Sequence, residues 1–249
     1  MCRRCFPRMA AGPSLPRRAF CLGAAAAALS VRPAAAETLL EPTLRLPDTA
    51  TAASGRVALT LDACPGGFDS RIATYLADNG VKATIFLTAA WIGRNPAGLA
   101  FLLAHRDLFA FENHGARHIP AVLGTRAIYG LRPAGDLDTV RREVDGGATQ
   151  IRRATGAEPH WYRGAAGLYS PAAIGSIQAM GFAVAGYSVN ADMGASLPAA
   201  RVAARIAAAQ DRDVIVGHLT QPGRPSGLGI IAGVRELRRQ GTSFVHLDT

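Results

Sequence analysis

Beyond residue 55 the chain alternates short apolar runs with amphipathic stretches, and most of the structural information lies in that alternation. Residues 56–61 are a compact apolar run and read as a strand. Residues 70–79 carry apolar side chains at helical spacing, and Gly80 stands where helix C-termini favour glycine. Residues 82–88, rich in Ile, Phe and Thr, predict a second strand, 97–105 a helix and 108–112 a third strand. Residues 119–138 show neither period and read as a long functional loop. A charged amphipathic helix follows over 139–155, stopped by Gly156, and then a brief strand over 160–162. Pro171 opens a helix over 171–180 and Gly181 closes it. The rest predicts a strand over 182–189, an Ala-rich helix over 198–210, a buried strand over 213–217, a helix over 230–240 and a last strand over 243–247.

Strand and helix alternate about seven times with short links, the pattern of a parallel sheet flanked by helices. No Gly-x-Gly-x-x-Gly follows the first strand, so the dinucleotide-binding version of such a sheet loses its main support. A closed or nearly closed α/β barrel fits the repeat better.

Residues 37–55, rich in Pro, Thr and Ala, read as an extended lead-in to a domain over 56–249. The segment before them changes how the charge is read. The formal charge of +9 suggests a polyanion partner, but Arg3, Arg4, Arg8, Arg17, Arg18 and Arg32 lie in the first 36 residues, which hold no acid. Removing those six leaves 21 basic against 18 acidic residues, a net +3, and no nucleic-acid partner is expected. Arg17-Arg18, the apolar stretch over 19–31 and Ala34-Ala35-Ala36 follow the order of an export signal, and residues 14–23 resemble a twin-arginine signal. Met9 offers a second candidate start. The apolar stretch is shorter than the roughly 20 residues of a bilayer span, so no stable membrane span is expected after cleavage. The export machinery is thus an expected partner, and the periplasm or exterior the expected location. Cys2, Cys5 and Cys21 leave with the signal, and Cys64 alone cannot form an internal disulfide.

The ionisable residues are informative by position. Asp62 follows the first strand, Asn113 and His114 the third, Arg163 the fourth, Asn190 and Asp192 the fifth, and His218 the sixth. In an α/β barrel these C-terminal strand ends share one rim, where active sites are built. His114 and His118 stand four apart, so one helical turn would aim both imidazoles at one ion; the plain alternative is two surface histidines. Asp62 can ligate metal or take a proton from water. Asp69 is a candidate ligand or simply the N-cap of the next helix. Cys64 is a soft zinc ligand or a small buried filler. His218 is a site residue or a satisfied core histidine, and Arg163 with Asp192 could form a structural ion pair.

These blocks, in this order from about residue 56 to 247, resemble the polysaccharide deacetylase family, the NodB-like carbohydrate esterases. The resemblance implies a distorted, incomplete (β/α) barrel and a divalent metal, most simply zinc. It implies Asp62 as catalytic base, His114 and His118 as metal ligands, Arg163 positioning the base, Asp192 tuning the late histidine and His218 as general acid. Two positions depart. The second aspartate, the family's third metal ligand, is Ala63, so Asp69 or Asp62 must supply that bond. The tyrosine of the arginine segment is missing: Gly164-Ala-Ala-Gly167 follows Arg163, and Tyr169 is the nearest aromatic ring. The implied activity is metal-dependent hydrolysis of an amide, most simply N-deacetylation of an acetylated amino-sugar polymer or oligosaccharide. A hydrolase of a small cyclic amide and a non-catalytic carbohydrate-binding protein are the alternatives.

Overall fold

Apolar and polar residues alternate along the central strand, and this determines which side chains reach the site. The computed structural model describes residues 38–48 and 55–247; the segment over 1–36 read as an export signal and residues 49–54 of the lead-in lie outside them. The central strand, β1, is Arg56–Ala63. Its odd members Val57, Leu59, Leu61 and Ala63 are fully buried in the apolar layer between sheet and helices. Ala58 belongs instead to a second cluster with Leu46, Phe86, Val214 and Leu247, and Thr60 and Asp62 share its face of the strand. The same division recurs in β2 (Ala83–Leu87), β3 (Phe109–Asn113) and β7 (Val214–His218). Ile85, Phe111 and Ile215 face the helices, while Phe86 and Val214 face the interior. A one-residue slip would drive Asp62 into the apolar layer, at a cost of several kcal/mol for an unpaired buried charge.

Between these strands lie α1 (Ser70–Asp78), α2 (Ala89–Arg94), α3 (Pro96–Ala104) and α4 (Leu137–Thr155). The remaining elements are β4 (Trp161–Tyr162), α5 (Pro171–Ala179), β5 (Ala183–Val184), β6 (Val189–Asn190), α6 (Ala199–Ala207), α7 (Ser226–Arg239) and β8 (Ser243–Val245). Every strand pairing is parallel. The order is β5-β4-β3-β2-β1-β7-β6, with β8 beside the start of β1. Outside the sheet α6 packs on α7 and α7 on α1, while α4 packs on α5, α2 and β3. Among the described residues no helix is long and apolar enough to cross a membrane.

Two elements differ from the sequence reading. The stretch over 182–189 is not one strand but β5 and β6, on opposite edges of the sheet. Ala185 N–H donates to Tyr162 O of β4, and three residues later Ser188 N–H donates to Val214 O of β7. Three residues reach at most about 11 Å, so the two edges face each other across a gap and the sheet is a distorted, incomplete barrel. The lead-in fills the gap between them. Leu40 pairs with Tyr169, Tyr187 N–H donates to Pro42 O, and Arg45 pairs with Asp213. Gly186 permits this crossing, because a Cβ there would lie 2.0 Å from Pro42 O. The second difference is α2, in residues that the sequence reading left unassigned between strand and helix. Thr88 caps it, accepting from Trp91 N–H at 3.1 Å, and Asn95 separates it from α3, which opens on Pro96.

Candidate metal and catalytic site

The rim at the C-terminal strand ends opens on a cavity of about 700 Å3. Asp62, His114, His118, Arg163 and His218 all line it. Asp62 is inward-facing at the end of β1, and Arg163 Nη1 donates to its Oδ1 at 2.9 Å. The guanidinium, 1% exposed, is otherwise fully engaged. Nη1 also donates to Thr60 Oγ1 at 2.8 Å, Nη2 to Gly186 O at 3.1 Å and Nε to Ala185 O at 3.4 Å, and the group lies 4.2 Å over the Phe86 ring. Burial pushes the Asp62 pKa up, but Arg163, His114 and His218 outweigh it and hold the carboxyl below its usual range.

His218 ends β7. Its Nδ1–H donates to Asp192 Oδ1 at 2.8 Å, and its backbone N–H donates to Asp192 Oδ2 at 2.8 Å. Asp192 is fully buried, so the imidazole is fixed and its Nε2 is left free of that bond. Burial would lower the His218 pKa, but the bond to Asp192 and contact with Cys64 hold it well above its usual value. Arg163 and Asp192 therefore do not pair with each other. Each serves a different cavity residue.

His114 follows β3 and is 1% exposed. Its Nδ1–H donates to Arg163 O at 2.6 Å, which turns Nε2 toward Cys64 Sγ at 3.4 Å and Asp62 Oδ2 at 3.8 Å. His118 meets it ring to ring, with centroids 4.9 Å apart and planes at 65°. The pair is not on a helical turn, as the spacing suggested. Residues 114–118 are a loop, and His118 has a left-handed backbone with φ 67. Glu143 on α4 holds that strained turn: its buried Oε1 accepts Arg117 N–H at 2.8 Å and Ile119 N–H at 3.1 Å. Gly147 on α4 allows the close approach, since a Cβ there would lie 2.2 Å from Asn113 Oδ1.

Asp69 is not brought to the histidines. It caps α1 by accepting Arg71 N–H at 3.2 Å, and the Arg71 guanidinium holds it at 2.8 and 2.6 Å. Instead, Cys64, His114 and His118 place one donor atom each within 4.8 Å of one another. A thiolate with two imidazoles fits a zinc-class ion. Tyr169 does not line the cavity but is fully buried in a core cluster, where its hydroxyl accepts Gly164 N–H at 2.6 Å, and burial pushes its pKa up to about 12.

Several lining residues carried no sequence signal. Glu41 comes from the lead-in and accepts from the Tyr187 hydroxyl. Tyr129 and Met193 stand at the rim, 82% and 51% exposed, both with positive φ. An exposed aromatic or apolar rim offers a face for a sugar ring or an acyl group. Tyr129 lies within the loop over 119–138 that the sequence marked as functional.

Comparisons with known proteins bear on the family and the fold. The profile of the polysaccharide deacetylase family matches residues 49–185, more than half of the chain. The fold resembles that of a carbohydrate esterase family 4 pseudoenzyme from Bacillus anthracis, at TM-score 0.62 and 18% identity over 78% of this chain and 64% of that one. The chain thus spans less than two thirds of the length of that relative. A peptidoglycan N-acetylglucosamine deacetylase matches at TM-score 0.64 and 22% identity, over 78% of this chain and 87% of that one. A family 4 carbohydrate esterase from Streptomyces lividans, solved with acetate, matches at TM-score 0.62 and 20% identity, over 79% and 95%. Among curated proteins no significant match is found. With more than half its length under one family profile and the matching barrel around it, the chain belongs to the polysaccharide deacetylase family.

Proposed function

We propose that the protein is a metal-dependent hydrolase that removes acetyl groups from the nitrogen of an amino-sugar polymer or oligosaccharide. One observation supports this above the rest. A carboxylate paired with the buried Arg163 and a histidine paired with the buried Asp192 line the same cavity as a pair of histidines. Amide hydrolysis needs that division: a base for the water and an acid for the departing amine.

His114 and His118 would hold the metal, with a third donor from the rim. When bound, a divalent ion there polarises an acetyl carbonyl and lowers the pKa of a water toward about 7. Asp62 accepts the proton of the attacking water through Oδ2, because Arg163 occupies Oδ1. His218 then donates a proton from Nε2 to the amine as the C–N bond breaks, with Asp192 stabilising the charged imidazole. Each such proton transfer is worth roughly 10²–10⁴-fold in rate. Tyr187, Tyr129 and Met193 supply the walls against which a sugar would lie.

Ala63 in place of the family's second aspartate, and the likeness to a pseudoenzyme, favour a second reading: a carbohydrate-binding protein without turnover. The two separate on chitooligosaccharides, peptidoglycan fragments and small cyclic amides. The proposal expects acetate and free amine in equal amounts from one of the first two. Ring opening of a cyclic amide alone would replace the substrate class, and binding without products would establish the second reading. We also propose twin-arginine export to the periplasm or exterior, supported by Arg17-Arg18 and the small-residue cleavage site. Fractionation that finds the processed chain in the cytoplasm would reject it.

A further inference from the structure

The family's third ligand position is Ala63, which is fully buried in the apolar layer behind the sheet. We propose that Cys64, the next residue, is the third protein ligand, so that the site is a one-thiolate, two-imidazole centre. The inference rests on the metal-dependent reading above and goes further by naming the donor and the class of ion.

The distances favour it. At the bond lengths of tetrahedral zinc, a sulfur and a nitrogen ligand lie about 3.5 Å apart. Cys64 Sγ and His114 Nε2 are 3.4 Å apart. His114 is already in the tautomer that binds, because Nδ1–H is committed to Arg163 O. His118 completes the only group of three such donors within 4.8 Å of one another among the described residues.

The other candidates are engaged elsewhere. The Asp69 carboxylate is held by Arg71, and Gly227 of α7 packs against it so closely that a Cβ would lie 2.3 Å from Oδ2. Asp62 is bound to Arg163 and stays available as the base.

The loop that carries Cys64 is also built to hold position. Thr88 Oγ1 donates to Ala63 O at 2.9 Å, Trp91 Nε1 to Gly67 O at 2.9 Å and Asn95 Nδ2 to Gly66 O at 3.0 Å. Gly67 N–H donates to Thr220 O at 3.1 Å and Asp69 N–H to Leu219 O at 2.8 Å. Five hydrogen bonds from two directions are more than a surface turn needs. They fix Cys64 beside the histidines before any ion arrives. A thiolate in the set favours zinc over magnesium or manganese, which prefer all-oxygen ligands. The histidine pair with one thiolate leaves a fourth tetrahedral position for water or substrate.

The test uses the full chain carrying Cys2→Ser, Cys5→Ser and Cys21→Ser, so that Cys64 is the only thiol. X-ray absorption at the zinc edge is expected to show one sulfur at about 2.3 Å and nitrogen at about 2.0–2.1 Å. Cys64→Ala should weaken zinc binding by more than the roughly 10–100-fold that loss of a supporting partner costs. Cys64→Asp should restore part of it, and unchanged zinc-free melting would show that both variants fold. A shell of nitrogen and oxygen only, with zinc affinity unmoved in Cys64→Ala, overturns the Cys64 assignment and leaves a His114/His118 site standing. A parent chain that binds no zinc overturns that site as well.

Discussion

Asp62 and His218 sit on neighbouring strands in register, Asp62 on β1 opposite His218 on β7. Each has one buried partner, and the partners push in opposite directions: Arg163 stabilises a charged carboxylate, Asp192 a charged imidazole. Activity should therefore be highest between the lowered Asp62 pKa and the raised His218 pKa, and should fall as pH rises through the latter. Asp192→Asn removes the charge but keeps a side chain that can hydrogen-bond. The expected result is an alkaline limb displaced to lower pH, read from kcat/KM against pH, with the acid limb unmoved. An unmoved alkaline limb would show that Asp192 only fills space. At this scale much was legible in the sequence, since polar residues at strand ends marked Asp62, His114, Arg163 and His218 for one rim, with Asp192 buried against His218. The pairings were not legible. Which acid meets which base depends on side-chain reach across strands far apart in sequence, and Arg163 takes Asp62, not Asp192. Asp69 illustrates the same point, for a carboxylate beside a site is still captured by an arginine two residues away.

At the scale of elements, the period-two pattern of β1 carried the fold and the orientation of Asp62 together. Helix and strand identities were otherwise legible in the same way, except for β5 and β6, read as one strand, and for α2. For β5 and β6 the decisive contact is Pro42 of the lead-in against Gly186, a pairing with no local signature. The histidine spacing was informative for a reason other than the expected one. A left-handed backbone at His118, held by Glu143 of α4, does what a helical turn was expected to do. β3 carries a further buried acid. Glu112 accepts His160 N–H at 2.8 Å and Trp161 N–H at 2.7 Å and so fixes the start of β4. Burial nevertheless dominates and pushes its pKa up to about 7. The folded state then holds a proton that the unfolded state releases above about 4.5, so stability falls as pH rises from there to about 7. Glu112→Gln keeps an acceptor for the two N–H groups and removes the titration. It should raise the melting temperature at pH 8 by several degrees relative to the parent, with little gain at pH 4. An equal effect at both values would mean that the penalty is not one of ionisation.

Among the described residues the sheet is an incomplete barrel whose gap is covered by residues 40–46 of the lead-in. Leu46 reaches the inner cluster beside Val214 and Leu247, and Glu41 reaches the cavity rim. The strands that carry Asp62 and His218 stay in the sheet, while the edge that cannot pair with itself is covered, which removes an exposed template for association. The cavity opens at the strand ends, as in barrel enzymes generally, with apolar rim residues outside and fixed charges within. The proposed function makes this cavity a site of turnover, not of binding alone. The most direct measurement compares acetate release from an N-acetylated glucosamine oligomer by the zinc-loaded parent and by His218→Ala, with zinc per chain determined on the same samples. The account predicts equal zinc in both and acetate release lower in the variant by roughly 10²–10⁴-fold. Acetate release undiminished in His218→Ala, or absent from the zinc-loaded parent, would contradict it.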